Sequence, residues 1–293
     1  MKKKIIFIIN PRSGPRLNKK LPEIIDRNID RKSIEIEVQY TQAKNHASIL
    51  TREAVNQDYD AVIAVGGDGT INEVASELVF TQVTLGIIPA GSGNGLAREL
   101  GIPISLEKAV QVINQQKTRI IDGGTANDQP FFCTAGLGFD AHIGKLFSQN
   151  TKRGFSEYLK TVLQEYFKYL PQTYEIAHDG KQRSVEAFAI TIANARQYGN
   201  NAFIAPQAKI NDGFLDLSIL KPFPKRKIPE IVYQLFTKKL HLSPYYESYK
   251  VTEVQIGNEH ADCYHSDGEY CIITKPLNIF KVVPQCIKVT VPK

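Results

Sequence analysis

The sequence predicts an α/β first domain built on a mainly parallel sheet, followed by a second domain made of a mainly antiparallel β-sandwich. Two observations support this. From Lys4 to about Asp122, strand-like and helix-like runs alternate, the pattern of a parallel sheet with helical crossovers. Beyond Asp122, short apolar strands separated by turn residues dominate, with two helical stretches among them. The chain has 293 residues, 42% of them hydrophobic, which suffices for two ordinary cores. The boundary falls near Asp122 to Thr125, giving domains over 1–123 and 124–285.

The elements follow in order. "KIIFIIN" (4–10) is a buried strand, and "KKLPEIIDRNI" (19–29) a basic, partly amphipathic helix. "SIEIEVQYT" (33–41) alternates in polarity, as an edge strand does. "NHASILTREAVNQ" (45–57) brings Ala47, Leu50, Ala54 and Val55 near one helical face. "AVIAV" (61–65) is a short buried strand, followed by a glycine turn and the helix "TINEVASEL" (70–78). "TLGIIP" (84–89) is the fourth strand, and a helix begins near Ser105, the expected N-cap. In the second domain the strands are 129–139, 172–180, 181–194, 213–220, 249–257, 271–276 and 280–292, with a hairpin turn at His178-Asp179-Gly180-Lys181. Helical periodicity appears from Ser156 and from Pro229.

The formal net charge of +6 suits nucleic acid, an anionic membrane surface or a polyphosphate substrate, and is equally compatible with plain solubility. No nucleic-acid module accompanies the charge. The four cysteines are widely spaced without a C-x-x-C pair and read as reduced thiols in the cytosol. The opening "MKKKIIFIIN" imitates a signal peptide, but its apolar run is too short and Pro11 follows at once, so a first strand is expected. No apolar run reaches the roughly 20 residues that span a bilayer. Contact with a membrane is therefore expected to be peripheral.

Three strand ends lead into turns of small residues: Asn10 to Gly14, Gly66 to Thr70, and Ala90 to Gly95. In open parallel sheets ligands bind outside the carboxyl ends of the strands. Backbone amides with the hydroxyls of Ser13, Thr70 and Ser92 would suit a nucleoside triphosphate. Neither a P-loop nor a complete G-x-G-x-x-G fingerprint is present. Asp68 stands where phosphates would sit, and a carboxylate there repels them unless Mg²⁺ bridges the two or the acid accepts a proton. Capping of the next helix accounts for it equally well. Further acids occur at Asp122, at Asp212 and Asp216, and at Asp267 and Glu269. Each Asp-Gly also fits a plain β-turn.

Six blocks occur in one order: Asn10-Pro11-x-Ser13-Gly14, Gly66-Gly67-Asp68-Gly69-Thr70-x-Asn72-Glu73, Pro89-x-Gly91-Ser92-Gly93-Asn94, Gly136-x-Gly138-Phe139-Asp140, Asp212-Gly213-x-x-Asp216 and Asp267-Gly268-Glu269. Over essentially its whole length the chain resembles the diacylglycerol kinase catalytic-domain superfamily, which includes soluble bacterial lipid kinases and sphingosine kinases. The resemblance implies an ATP- and Mg²⁺-dependent enzyme that phosphorylates a lipid hydroxyl, diacylglycerol-like or sphingoid-like. It implies an active site in an interdomain cleft and a last strand, about 286–293, returning to the first domain. It implies ATP contacts from Asn10, Pro11, Arg12, Ser13, Gly14, Thr41, Gly66, Gly67, Asp68, Gly69, Thr70, Ile71, Asn72 and Ser92. Asp68 and Asp122 would hold catalytic Mg²⁺ through water, and Glu269 would accept the hydroxyl proton. A separate structural Mg²⁺ would lie by Asp212, with Lys209 and Phe214 as main-chain ligands. In the bacterial diacylglycerol kinases an acid usually follows the Asn of the third turn and a threonine stands at the Ser92 position. Here Gly95 and Ser92 resemble the sphingosine-kinase version instead.

Such an enzyme would be cytoplasmic, acting transiently at the inner face of the membrane. An apolar stripe of Phe155, Leu159, Val162, Leu163, Tyr166, Phe167 and Leu170, flanked by Lys152, Arg153, Lys160 and Lys168, suits either a membrane surface or the core. The basic run from Lys221 to Lys227 is a second candidate for membrane contact. Antiparallel edges in the second domain would allow a homodimer. The competing readings are a NAD-kinase-like enzyme, against which the Pro89 to Asn94 block argues, and an inactive nucleotide- or lipid-binding regulator.

Overall fold

The computed structural model describes residues 2–13, 17–149, 155–259 and 261–293, with backbone alone at 17–20, 147–149, 155–159 and 163. Two compact units emerge: Met1–Ile121 with Gln285–Lys293, and Asp122–Pro284.

In the first unit β1 (Lys3–Ile9), β2 (Ile34–Tyr40), β3 (Ala61–Gly66) and β4 (Thr84–Pro89) pair in the order β2-β1-β3-β4. All three pairings are parallel. Strands β3 and β4 are buried at every position, so they read as unbroken apolar runs. The outer strand β2 alternates, with most of its side chains in water. The crossovers are α1 (Leu17–Asn28), α2 (His46–Asn56), α3 (Asp68–Leu78), α4 (Gly95–Glu99) and α5 (Leu106–Gln115). Helix α1 packs beside α5, and α2 beside α3. Ser105 stands at the N-cap of α5, but its hydroxyl makes no capping bond and instead donates to Glu107 at 2.8 Å. Side chains such as Phe7, Ile8, Ile63 and Leu85 are fully buried, each contributing about 1.5–3 kcal/mol of apolar transfer.

Strand β5 (Thr118–Ala126) leads from the first unit into the second. There follow β6 (Gln129–Phe131), β7 (Thr134–Gly138), α6 (Phe139–Gln149), α7 (Phe155–Tyr166), β8 (Gln172–His178), β9 (Lys181–Ala187), β10 (Ala189–Ala193) and β11 (Leu215–Leu220). The chain continues through α8 (Ile228–Phe236), β12 (Tyr246–Val251), β13 (Glu253–Gly257), β14 (Cys263–Ser266), β15 (Glu269–Ile272) and β16 (Leu277–Thr290). One antiparallel sheet runs β12-β11-β10-β7-β14-β15. A second set runs β16-β13-β8-β9, also antiparallel. Leu137, Ile190, Ile192 and Leu217 from the first share a core with Tyr174, Ile176, Val254 and Phe280 from the second, which makes the unit a sandwich.

Two stretches that read as single strands are cut by one residue. Phe188 separates β9 from β10, and Thr252 separates β12 from β13. At each break the chain leaves one sheet for the other. Helices α6 and α8 cover the other face of the six-stranded sheet, where Phe139, Ile143, Ile231 and Phe188 form a second cluster. Val162 and Tyr166 pack against that cluster, so this part of the apolar stripe belongs to the core, while Phe167 and Leu170 are exposed. The expectations for Lys152 and Arg153, and for the side chains of Phe155, Leu159 and Leu163, lie outside the described residues. All four cysteines are free thiols.

Candidate functional site

Because β1 to β4 are parallel, Asn10, Thr41, Gly66 and Pro89 all stand at carboxyl ends of strands in the first unit. Hydrogen bonds tie these ends together. Asn10 N–H donates to Val65 O at 2.9 Å, Thr41 N–H to Ile9 O at 2.9 Å, and Ala90 N–H to Gly66 O at 2.8 Å. Asn10 Nδ2 donates to Thr70 Oγ1 at 2.9 Å, which joins the first turn to the first helical turn of α3. Its Oδ1 accepts Arg12 N–H at 3.0 Å, folding the turn back on itself. Arg12 and Ser92 are exposed, and Ser13 is half-buried. Gly14 lies outside the described residues. Ile71 faces the core at 2% exposure, so any contact it offers a nucleotide is through its backbone.

The second and third turns meet backbone to backbone. A Cβ on Gly91 would sit 2.6 Å from Gly67 Cα, closer than any real side chain comes. A Cβ on Gly93 would sit 2.7 Å from Asp68 Oδ2. Asp68 is the clasp between them. Its Oδ2 accepts Asn94 N–H at 2.9 Å and its Oδ1 accepts Gly95 N–H at 2.7 Å. Asp68 thus caps a helix, as one of the two sequence readings held, but the helix is α4 and not its own. Asn94 completes the turn in the left-handed region at φ 52°, its side chain bridging the N–H and C=O of Gly91 at 2.9 and 2.7 Å. Burial raises the pKa of the Asp68 carboxyl, against the pull of those two amides and of Arg98. Glu73 has a supporting role: its carboxylate accepts the N–H groups of Asn45 and Ala47 at the start of α2.

In the second unit the remaining predicted acids are joined by another network. Asp122 is buried. Its N–H donates to Ile210 O at 2.8 Å and its Oδ2 accepts Gly213 N–H at 2.7 Å. Asn194, fully buried, donates from Nδ2 to Asp122 O at 2.9 Å and to Phe132 O at 2.8 Å. Asp267 accepts the N–H groups of Phe132, Cys133 and Thr134 at 2.8, 2.8 and 3.1 Å. Asp267 and Gly268 both have positive φ, 47° and 83°, and form the two-residue turn of the β14–β15 hairpin. Glu269 follows that turn and is exposed. The structure therefore links Asp122, the Asp212-Gly213 turn and the Glu269 hairpin through shared backbone partners. Sequence reasoning missed Asn194, whose single polar side chain after an apolar strand gives no local signal.

The residues named for a structural Mg²⁺ do not fit that ion. Both Asp212 oxygens are engaged: Oδ1 accepts Phe214 N–H at 3.2 Å, and Oδ2 accepts Lys250 Nζ at 2.8 Å. The same ammonium lies 2.7 Å from Asp216 Oδ2. Burial raises the Asp216 pKa. At Lys250 burial opposes the charge, but the bonds to Asp212 and Asp216 outweigh it and the pKa rises. A divalent ion needs oxygen ligands and no cation among them.

The fold is that of a two-unit protein, a parallel-sheet α/β unit with small-residue turns at its strand ends and an antiparallel sandwich. Residues 4–126 match the diacylglycerol kinase catalytic domain, and residues 133–291 match the YegS C-terminal NAD kinase beta sandwich-like domain. The chain belongs to this diacylglycerol kinase and YegS-like lipid kinase family. The diacylglycerol kinase of Bacillus subtilis is 32% identical over 287 residues, 92% of this chain and 90% of that one. A probable YegS-like lipid kinase of Chromohalobacter salexigens is 33% identical over 229 residues, 76% and 73% of the two chains. An uncharacterised Synechocystis protein is 31% identical over 84% of this chain, which spans 62% of that longer protein. A putative diacylglycerol kinase from Bacillus anthracis shares the fold with a TM-score of 0.81 at 22% identity, over 99% of this chain and 97% of its own.

Proposed function

We propose that this chain is an ATP-dependent lipid kinase, with MgATP as phosphoryl donor and a lipid hydroxyl as acceptor. One observation supports it above the others: three small-residue turns at parallel strand ends are clasped into one rim by Asn10–Thr70 and by Asp68 with Asn94 and Gly95. The amides of the first turn of α3 and of the Gly91 to Gly93 stretch, with the Ser13 and Ser92 hydroxyls, suit a triphosphate. Asp68 is compatible with that anion because two backbone amides already meet its carboxylate. Asp68 and Asp122 would be the carboxylates that hold the nucleotide's Mg²⁺, which would supply neutralisation of the phosphate charge.

The acceptor chemistry falls to the second unit. Glu269 takes the proton of the lipid hydroxyl as its oxygen attacks the γ-phosphorus. The bond from that phosphorus to the β–γ bridging oxygen breaks, and ADP leaves. Asp267 fixes the turn that presents Glu269. In this reading the protein meets its lipid peripherally, from the cytoplasm. No helix among the described residues is long and apolar enough to cross a membrane.

The test is radiolabelled ATP with a panel of diacylglycerol-like and sphingoid-like lipids, NAD included, and identification of the labelled product by mass. Labelled lipid is expected. Glu269→Gln should lower turnover about 10²–10⁴-fold while the unfolding midpoint stays put. Labelled NAD in place of lipid, or wild-type turnover in Glu269→Gln, overturns the reading.

A further inference from the structure

Lys250 lies on β12 directly opposite Asp216 on β11 in the antiparallel register. Its side chain also reaches Asp212, on the turn that enters β11. Nζ is thereby placed 2.8 Å from one carboxylate and 2.7 Å from the other. Asp216 is 3% exposed, so this is not a surface pair that water screens at will. The turn between the two acids contains Gly213, at φ 77°, whose N–H meets Asp122 Oδ2 at 2.7 Å. Whatever holds Asp212 in place therefore also sets where that amide points. In this chain the holding group is an ammonium.

We propose that Lys250 is a resident cation that takes the place of a divalent metal ion between Asp212 and Asp216, and so positions the Gly213 amide on Asp122 without any metal. An ammonium and a hydrated Mg²⁺ satisfy the same two carboxylates, but both cannot. A divalent ion ligated by Asp212 would approach the Lys250 charge to a few ångströms and displace the bond to Oδ2. The lysine arrangement has a consequence a metal site lacks, because its occupancy does not vary with free cation. Lys250 acts through Asp212 and Gly213 and is a positioning residue. Its importance for Asp122 in phosphoryl transfer rests on the kinase reading above, whereas the exchange of cation for lysine does not.

The experiment is free of nucleotide and lipid, so its outcome is separable from that of the kinase assay. Thermal unfolding of the wild type, Asp212→Asn, Lys250→Ala, Lys250→Arg and Lys250→Ala/Asp212→Asn is followed in chelator and in millimolar Mg²⁺ or Ca²⁺. Mn²⁺ binding is read in parallel by electron paramagnetic resonance. The wild type should melt at the same temperature with and without divalent ions, and should bind Mn²⁺ no differently from Asp212→Asn. Lys250→Ala should melt lower in chelator and recover in divalent ions, with Mn²⁺ bound at least about tenfold more tightly than by wild type, as removal of one like charge implies. The double variant should lose that recovery, and Lys250→Arg should keep wild-type indifference to metal. A simple packing role for Lys250 would lower the melting temperature without creating a metal response, and that result overturns the proposal. So does a wild-type divalent response that Asp212→Asn abolishes. If Lys250→Ala fails to fold, Lys250→Gln is read in the same way and the wild-type arm still decides.

Discussion

Replacing Asp68 by alanine removes the only side chain described as joining the second and third turns, and its effect can be sized from the geometry. Two backbone N–H groups, of Asn94 and Gly95, lose a carboxylate at 2.9 and 2.7 Å. A hydrogen bond to a charged acceptor contributes about 1.5–3 kcal/mol, and loss of a helix cap costs about 1 kcal/mol. Asp68 is half-buried, so water recovers part of this, and a local loss of about 2–4 kcal/mol is expected. Since each 1.4 kcal/mol is tenfold, amide hydrogen exchange at Asn94 and Gly95 should accelerate roughly 30- to 1,000-fold, with α5 and β4 unchanged. Asp68→Asn, which keeps one acceptor oxygen, should fall between the two. Under the kinase reading Asp68→Ala also loses phosphoryl transfer while the fold survives. Exchange at those amides indistinguishable from wild type would refute the clasp. Near-normal turnover in a folded Asp68→Ala variant would refute its catalytic importance.

Two further outcomes follow from the same geometry. Gly91→Ala puts a methyl group 2.6 Å from Gly67 Cα, so the two turns must part at a cost of about 1–3 kcal/mol, and under the kinase reading ATP affinity measured by calorimetry should fall more than stability does. Unchanged affinity would mean that the turns have slack. The second concerns acid stability of the sandwich. Burial pushes His265 down to about 4, so its contribution is complete above its unfolded value of 6.5 and is lost as pH falls toward 4. Asp140 is pushed up to about 6, first by burial, against hydrogen bonds from Tyr198 and Thr191. Its contribution is complete below 3.8 and is lost as pH rises through 6. Between about pH 4 and 6 the two oppose, each with a slope near 1.4 kcal/mol per unit. Asp140→Asn should therefore make stability in urea rise steeply with pH over that window, where the wild type is flatter. Equal slopes for both proteins would contradict the assignment.

Much of the first unit was legible because its signals are local. Unbroken apolar runs mark β1, β3 and β4, an alternating run marks the edge strand β2, and small-residue turns follow three strand ends. The second unit hid more. Helix α6 went unread because Gly138, at φ 90°, turns strand β7 straight into it with no intervening loop. The cuts at Phe188 and Thr252 are invisible in one dimension, since strand-forming residues run on with no Gly, Pro or Asn to mark the point where the chain changes sheet. Asp267 looked like one more acid or a plain turn, yet its carboxylate serves three amides more than a hundred residues earlier. Lys250 carries no signal in the sequence beyond its place in the strand read over 249–257, and only its register against Asp216 gives it a meaning. What a sequence conceals here is the partner across a long loop.

Strand β16 begins in the second unit, paired with β13, and ends in the first, where Val289 pairs with Leu85, Cys286 O accepts Phe80 N–H and Val291 N–H reaches Lys117 O. Cys286, Ile287, Val289 and Val291 are all buried. A gene cut after Ile121 would thus encode a first unit with a naked flank along β4, sticky and short of its final apolar staples. Chimaeras that join the second unit of one relative to the first unit of another have to carry residues 285–293 with the head, not with the tail from which they are translated.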